Sequence, residues 1–223
     1  EGRDLTWLEG RSFAFSRALS YGPFLDLLRR YASIADEDSE AEARASLRAR
    51  LDEVFPGEKE VYPVLAQLLS MRLDPEEAAI VRTMAGEAFR SRLFAILEGF
   101  LLRLAAQKPV GLVLEDLHWA DQSSIELVSD LFSVTARAPV AIVLLGRPRG
   151  ESPGNWEKLA PALDEYRDRY TEVSLRPLSG ESSHDLVKGL LSGSVLPEKL
   201  GQVILDKAEG NPFFVEEVLR SLI

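Results

Sequence analysis

Three observations predict an α/β fold built on a parallel sheet. Two short apolar runs, Val110-Gly111-Leu112-Val113-Leu114 and Pro139 to Leu145, lack the alternation of a half-exposed strand and suit strands buried on both faces. Helix-periodic segments separate these runs from each other and from a third candidate strand, Glu172-Val173-Ser174-Leu175. Strand, helix, strand, helix, strand is the order in which parallel sheets are wound.

The elements follow in chain order. Leu5-Thr6-Trp7-Leu8 reads as a short strand that ends at Arg11-Ser12-Phe13. From Ser20 to Leu73 the pattern is helical: Phe24, Leu25, Leu27, Leu28 and Tyr31 keep helix spacing, as do Leu47, Leu51, Val54 and Phe55. The acidic stretch Asp36 to Glu42 suits a solvated link or a first helical turn. Asp74-Pro75-Glu76-Glu77 is a helix start, with Asp as N-cap, Pro at the first position and Glu three residues after the cap. Apolar positions then recur to Leu104, in one long helix or two joined near Gly86. After the Val110–Leu114 run, Asp121 can cap a helix from Gln122 to Ala136. A helix around Trp156 to Leu163 precedes the third strand. Helices over Glu181–Leu191, Glu198–Ala208 and Pro212–Leu222 complete the chain, with Gly210 as a helix end and Asn211-Pro212 as the next start.

Composition narrows the chemistry. With 26 Lys and Arg against 36 Asp and Glu, the net charge of −10 disfavours a broad nucleic-acid-binding face. The 223 residues are 46% hydrophobic, enough for a real core. The absence of cysteine removes disulfides, Cys-ligated metal and thiol catalysis. His118 and His184 are far apart in sequence, so a histidine metal site is not expected. No apolar run approaches the roughly 18 residues of a membrane span, and the charged start Glu1-Gly2-Arg3-Asp4 has no apolar stretch behind it. A cytoplasmic protein is the expectation.

In an open parallel sheet, ligands bind beyond the carboxyl ends of the strands. Glu115-Asp116 falls at such an end, directly after an apolar run. Two adjacent carboxylates there call for a cation or hydrogen bonds, and Mg²⁺ bridged to substrate phosphates would serve, with the second acid left to orient or deprotonate a water. Two solvated acids at a strand end are the alternative. Arg147 closes the neighbouring strand in the same way, either as a γ-phosphate contact or as a surface residue of the turn at Pro148. His118 is expected to pack with Trp119 at the sheet edge.

Leu112-Val113-Leu114-Glu115-Asp116-Leu117-His118-Trp119-Ala120-Asp121, with Ser123-Ser124 following, resembles the Walker B segment of the STAND class of P-loop ATPases. It is similar above all to the AAA-type modules of multidomain bacterial adenylate/guanylate cyclases and large LuxR-type regulators. Three further segments agree in order. Glu9-Gly10-Arg11-Ser12 through Tyr21-Gly22-Pro23-Phe24 resembles the family's second strand and its following helix, and Leu144-Leu145-Gly146-Arg147-Pro148 its sensor strand. Leu175-Arg176-Pro177-Leu178-Ser179 with Gly210-Asn211-Pro212-Phe213-Phe214-Val215-Glu216-Glu217 resembles the entry to its helical lid and its GxP motif.

By position, the resemblance implies that Glu115 coordinates Mg²⁺, Asp116 activates water, Arg147 senses the γ-phosphate, and Gly210 and Pro212 form the motif whose proline lies against adenine. A Glu at 115, where many such ATPases have Asp, leaves the division of labour between the two acids open, so both count as metal ligands and as catalytic candidates. The implied layout is an ATPase-like core over 1–176, with a helical insertion over 20–107, and the start of a helical lid over 177–223. The implied cofactors are ATP and Mg²⁺. The expected partners are ATP or ADP and an attached output domain or partner protein, with self-association open.

The phosphate-cradling G-x-x-x-x-G-K-[ST] does not occur, and the chain contains no Gly-Lys dipeptide. In the family that loop lies upstream of the segment matching Leu5 to Leu8, and its strand is central to the sheet. The native polypeptide is therefore expected to continue upstream, and without that strand two edges of the sheet would be open. The expectation is an ATP-binding and ATP-hydrolysing regulatory module that is inactive as this segment alone. A nucleotide-free interaction scaffold on a degenerate ATPase fold is the alternative.

Overall fold

The computed structural model describes residues 5–14, 20–84, 86–148, 155–191 and 198–222. The charged stretch Glu1-Gly2-Arg3-Asp4 lies outside them. The described residues divide into two compact units, within 1–170 and 171–223. None of their helices is long and apolar enough to cross a membrane.

The first unit is organised by three parallel strands: β1 (Thr6–Arg11), β2 (Val110–Glu115) and β3 (Val140–Leu144), in the spatial order β1-β2-β3. Thr6 pairs with Val110 and Arg11 with Glu115, while Val110 pairs with Val140 and Leu114 with Leu144. All three strands therefore end level, which brings the segments following Arg11, Glu115 and Leu144 to one edge. Between β1 and β2 run α1 (Gly22–Tyr31), α2 (Glu40–Val54), α3 (Val61–Leu68), α4 (Pro75–Arg82) and α5 (Glu87–Gln107). The helix-periodic stretch thus splits where the caps fall. Ser39 opens α2 with a capping box to Glu42, and Gly86, at φ 55°, separates α4 from α5. After β2 come α6 (Gln122–Arg137), capped by the Asp121 side chain, and, after β3, α7 (Asn155–Glu165).

One face of the sheet is packed. Phe24 and Leu27 of α1, Leu97, Phe100 and Leu101 of α5 and Leu131 of α6 close around Leu112 of β2, and Leu8, Val110 and Leu114 are buried on the same face. Each such leucine contributes about 1.5–3 kcal/mol by leaving water. The opposite face differs from the sequence reading. Gly111 and Val113 of β2 are buried there, but Trp7 is 54% and Val143 41% exposed. The Pro139–Leu145 run is therefore a half-exposed edge strand rather than a strand buried on both faces. The reason is positional: β3 pairs with β2 on one side only, and no described strand continues the sheet beyond it.

A second correction concerns Glu172-Val173-Ser174-Leu175. Residues 171–179 form no regular structure, and Leu175 is 85% exposed. An apolar β-prone run becomes a strand only when a neighbouring edge completes its ladder. None of the three paired strands supplies one to this segment.

The second unit consists of α8 (Gly180–Leu191), α9 (Glu198–Ala208) and α10 (Pro212–Leu222). Val187, Ile204, Ala208, Val215 and Leu219 form its small core. Gly210, at φ 77°, sits where a Cβ would lie 2.5 Å from the Leu178 carbonyl oxygen, and its own carbonyl accepts from Leu178 N at 2.8 Å. Asn211 Oδ1 accepts from Phe213 N at 3.1 Å and so starts α10.

In the first unit the tightest backbone approach is at Gly10, where a Cβ would fall 2.1 Å from the Pro23 carbonyl oxygen. That oxygen belongs to α1 and cannot swing aside. Gly10→Ala is expected to push α1 off β1 and lower stability by about 1–3 kcal/mol, the range for overpacking. A urea titration reads the effect, and an unchanged midpoint would contradict the approach.

Candidate functional site

The level strand ends bring three short segments together. The ladder continues past β2 and β3: Ser12 N donates to Glu115 O at 3.0 Å, Leu145 N to Leu114 O at 2.9 Å and Leu117 N to Leu145 O at 2.8 Å. Directly after β2, Asp116 adopts a left-handed conformation (φ 54°, ψ 38°), and Leu117–Trp119 form a single 3₁₀ turn. A non-glycine residue in that region is uncommon, and such strain gathers at ligand sites. It reverses the chain so that the backbone leaves the sheet while the carboxylate stays at its edge.

The two acids are held by β1. Arg11 Nε donates to Asp116 Oδ2 at 2.8 Å and lies 4.0 Å from Glu115 Oε2. The Asp116 hydrogen bond, aided by the Asp116 and Glu115 charges, raises the Arg11 pKa above its ordinary value, so this guanidinium stays charged. Asp26 of α1 buttresses it, accepting from Arg11 N at 2.9 Å and from Arg30 Nε at 2.8 Å. Beside them the Ser12 hydroxyl is buried and has no hydrogen-bond partner among the described residues. Arg11 was not assigned a role from sequence; its pairing with Glu115 appears only in the strand register.

A Mg²⁺ ion fits the chemistry of these groups. Glu115 and Asp116 are hard oxygen donors, and such a cation takes one or two carboxylates and completes its shell with water and phosphate oxygens. The described residues hold no group of three or more His, Asp or Glu that could bind a metal by itself.

Arg147 follows β3, so the sheet brings its backbone to the same edge as the acids. Its guanidinium stands over the Trp119 ring at 5.9 Å, and Trp119 is tilted against the buried His118 at 4.8 Å. His118 is thus packed with Trp119, as its sequence context suggests. Gly210 and Pro212 lie in the second unit, at the junction of α9 and α10. The structure accordingly brings Glu115, Asp116 and Arg147 to one edge and holds Gly210 with Pro212 in the separate helical unit.

A divalent cation at these carboxylates would compete with Arg11 for them. Replacing Arg11 by Gln is expected to tighten Mn²⁺ binding severalfold, whereas Asp116→Asn weakens it; titration by electron paramagnetic resonance measures both. Stability should change little for Arg11→Gln, because the ion pair is partly solvated. Equal Mn²⁺ affinities in all three proteins would contradict this.

A family model described as an AAA ATPase domain matches residues 1–143. A second, described as a domain of unknown function, matches residues 179–223. An uncharacterised protein of Rhizobium meliloti (strain 1021) is 24% identical over 163 residues, which is 70% of this chain and 14% of that protein. The chain thus spans a small part of that relative's length. No solved structure matches the chain. The first model covers more than half of the chain, including β1, β2, the two acids and the helices between: the chain belongs to the AAA ATPase domain family.

Proposed function

We propose that this chain carries the Walker B half of an ATP-binding and ATP-hydrolysing module, of STAND type, in a bacterial signalling protein such as a nucleotide cyclase or a transcriptional regulator. The observation that carries the reading is the adjacent Glu115 and Asp116 at the carboxyl end of the central parallel strand, in a chain of an ATPase family.

The roles follow from that placement. Glu115 and Asp116 would hold Mg²⁺, which supplies charge neutralisation for the β- and γ-phosphate oxygens. Asp116 orients the attacking water and accepts its proton as the water oxygen bonds to the γ-phosphorus and the bond to the β-phosphate oxygen breaks, giving ADP and phosphate. Arg147 leaves the Trp119 face to contact the γ-phosphate and so reports its presence. Gly210 and Pro212 belong to the contacts with the adenine base. Arg11 holds Asp116 in place until a cation displaces it. The phosphate-cradling loop is proposed to come from further polypeptide, whose strand would pair with the edge of β3 that no described strand occupies. Alone, the chain lacks the positioning that phosphoryl transfer depends on.

The test is calorimetry with Mg²⁺ and ATP on this chain and on the native polypeptide extended upstream. Binding is expected from the extended protein only. Asp116→Asn is expected to bind Mg²⁺ and ATP more weakly and to lower kcat by about 10²–10⁴-fold, the range for a lost general base. Absence of binding by both proteins would overturn the ATPase reading and leave an interaction scaffold.

A further inference from the structure

Two residues at the start of α7, neither assigned a role above, tie the two strand-end turns of the site together. Asn155 is only 6% exposed, although it begins a helix. Its Nδ2 donates to both ends of the turn that follows Asp116, to Leu117 O at 2.8 Å and to Ala120 O at 3.1 Å. The adjacent Trp156 donates through Nε1 to Arg147 O at 2.7 Å, on the turn that follows β3. The Trp156 ring also lies against Gly146, where a Cβ would come within 3.0 Å of it. Leu159 and Leu163, one and two turns further along α7, are buried in the main core, so the helix bearing both donors is anchored.

The chemistry explains the choice of residues. A buried amide has two N–H donors, and Asn155 uses its Nδ2 to join two backbone carbonyls that a hydrophobic side chain would leave without it. An indole has one donor and a broad apolar ring, so Trp156 can pack on Gly146 and bond the next carbonyl. Consecutive residues of one rigid helix thus grip the turn carrying Asp116 and the turn carrying Arg147. A displacement of either turn must strain the other or break one of three hydrogen bonds.

We propose that Asn155 and Trp156 are positioning residues that fix the Asp116 turn and the Arg147 turn relative to each other, so that the γ-phosphate contact and the water-activating acid move as one body. The inference rests on the reading of Asp116 and Arg147 given under the proposed function. Neither Asn155 nor Trp156 touches the nucleotide. They act through the backbone of the residues that do.

The test uses the full-length protein with Asn155→Ala and Trp156→Phe, the latter keeping a ring against Gly146 while removing the donor. Amide hydrogen exchange is followed at Leu117, Trp119, Ala120 and Leu145, each of which donates to a backbone carbonyl. Either variant is expected to speed exchange in both turns by about tenfold while α2 and α3 keep the parent rates. ATP hydrolysis is expected to lose about tenfold or more in kcat with little change in KM, since a small misplacement of reacting groups costs rate rather than affinity. Faster exchange confined to the turn that lost its own bond would overturn the coupling. Faster exchange throughout the unit would reduce both residues to general stabilisers and also overturn it. An unchanged kcat in both variants, with Asp116→Asn inactive, would overturn the positioning role. If the parent protein itself does not hydrolyse ATP, the reading of the site fails, and the exchange result still decides whether the two turns are coupled.

Discussion

Strand β2 is hydrogen-bonded on both sides, and this double pairing is the constraint from which the candidate site follows. A strand between two parallel partners in level register cannot slip by one residue without turning its buried leucines to the other face. Leu112 and Leu114 are held in the helical layer, so Glu115 must fall at the end of the ladder and Asp116 just beyond it. The same register places Arg11 opposite Glu115, and the Leu145–Leu114 and Leu117–Leu145 hydrogen bonds draw the residues after β3 to that edge. Charge then gathers at a point that burial of the apolar residues has already determined.

What forms there is an open arrangement with carboxylates in excess. One guanidinium meets two carboxylates, backed by Asp26 and Arg30. These pairs are partly solvated and worth little to folding. Their consequence is local: the Asp116 carboxylate is held at the sheet edge against Arg11. On the side of β3 the constraint is different in kind. There the Asn155 and Trp156 hydrogen bonds connect backbone to backbone through a helix anchored in the core. In the proposed account a cation would displace Arg11 and leave the packing as it is, whereas loss of Asn155 or Trp156 would loosen the two turns.

Much of this was legible in the chain. Unbroken apolar runs located β2 and β3, the acids at the end of β2 located the edge, and the Asp121 and Asn211 caps located α6 and α10. Two kinds of information were not. Leu175 and its neighbours have the composition of a strand, but a strand exists only with a partner edge, and edge availability is a property of the fold rather than of the segment. Likewise Val143 belongs to a run that reads as buried, yet a strand at the margin of a sheet is covered only if something lies beside it. Side-chain roles that work at a distance in sequence were also hidden. Arg11 is 105 positions from Asp116, and Asn155 is 38 from Leu117; neither pairing leaves a local pattern.

The edge formed by the ends of β1, β2 and β3 is proposed to hold the metal–nucleotide complex. Metal-directed backbone cleavage tests it most directly: Fe²⁺ replaces Mg²⁺ in the full-length protein with ATP, and peroxide with ascorbate cuts the chain near the bound ion. Cuts clustered around Glu115–Asp116 and Gly146–Arg147, dependent on ATP and lost in excess Mg²⁺, are the predicted result. ATP-dependent cleavage elsewhere in the chain, with these two segments intact, would contradict it.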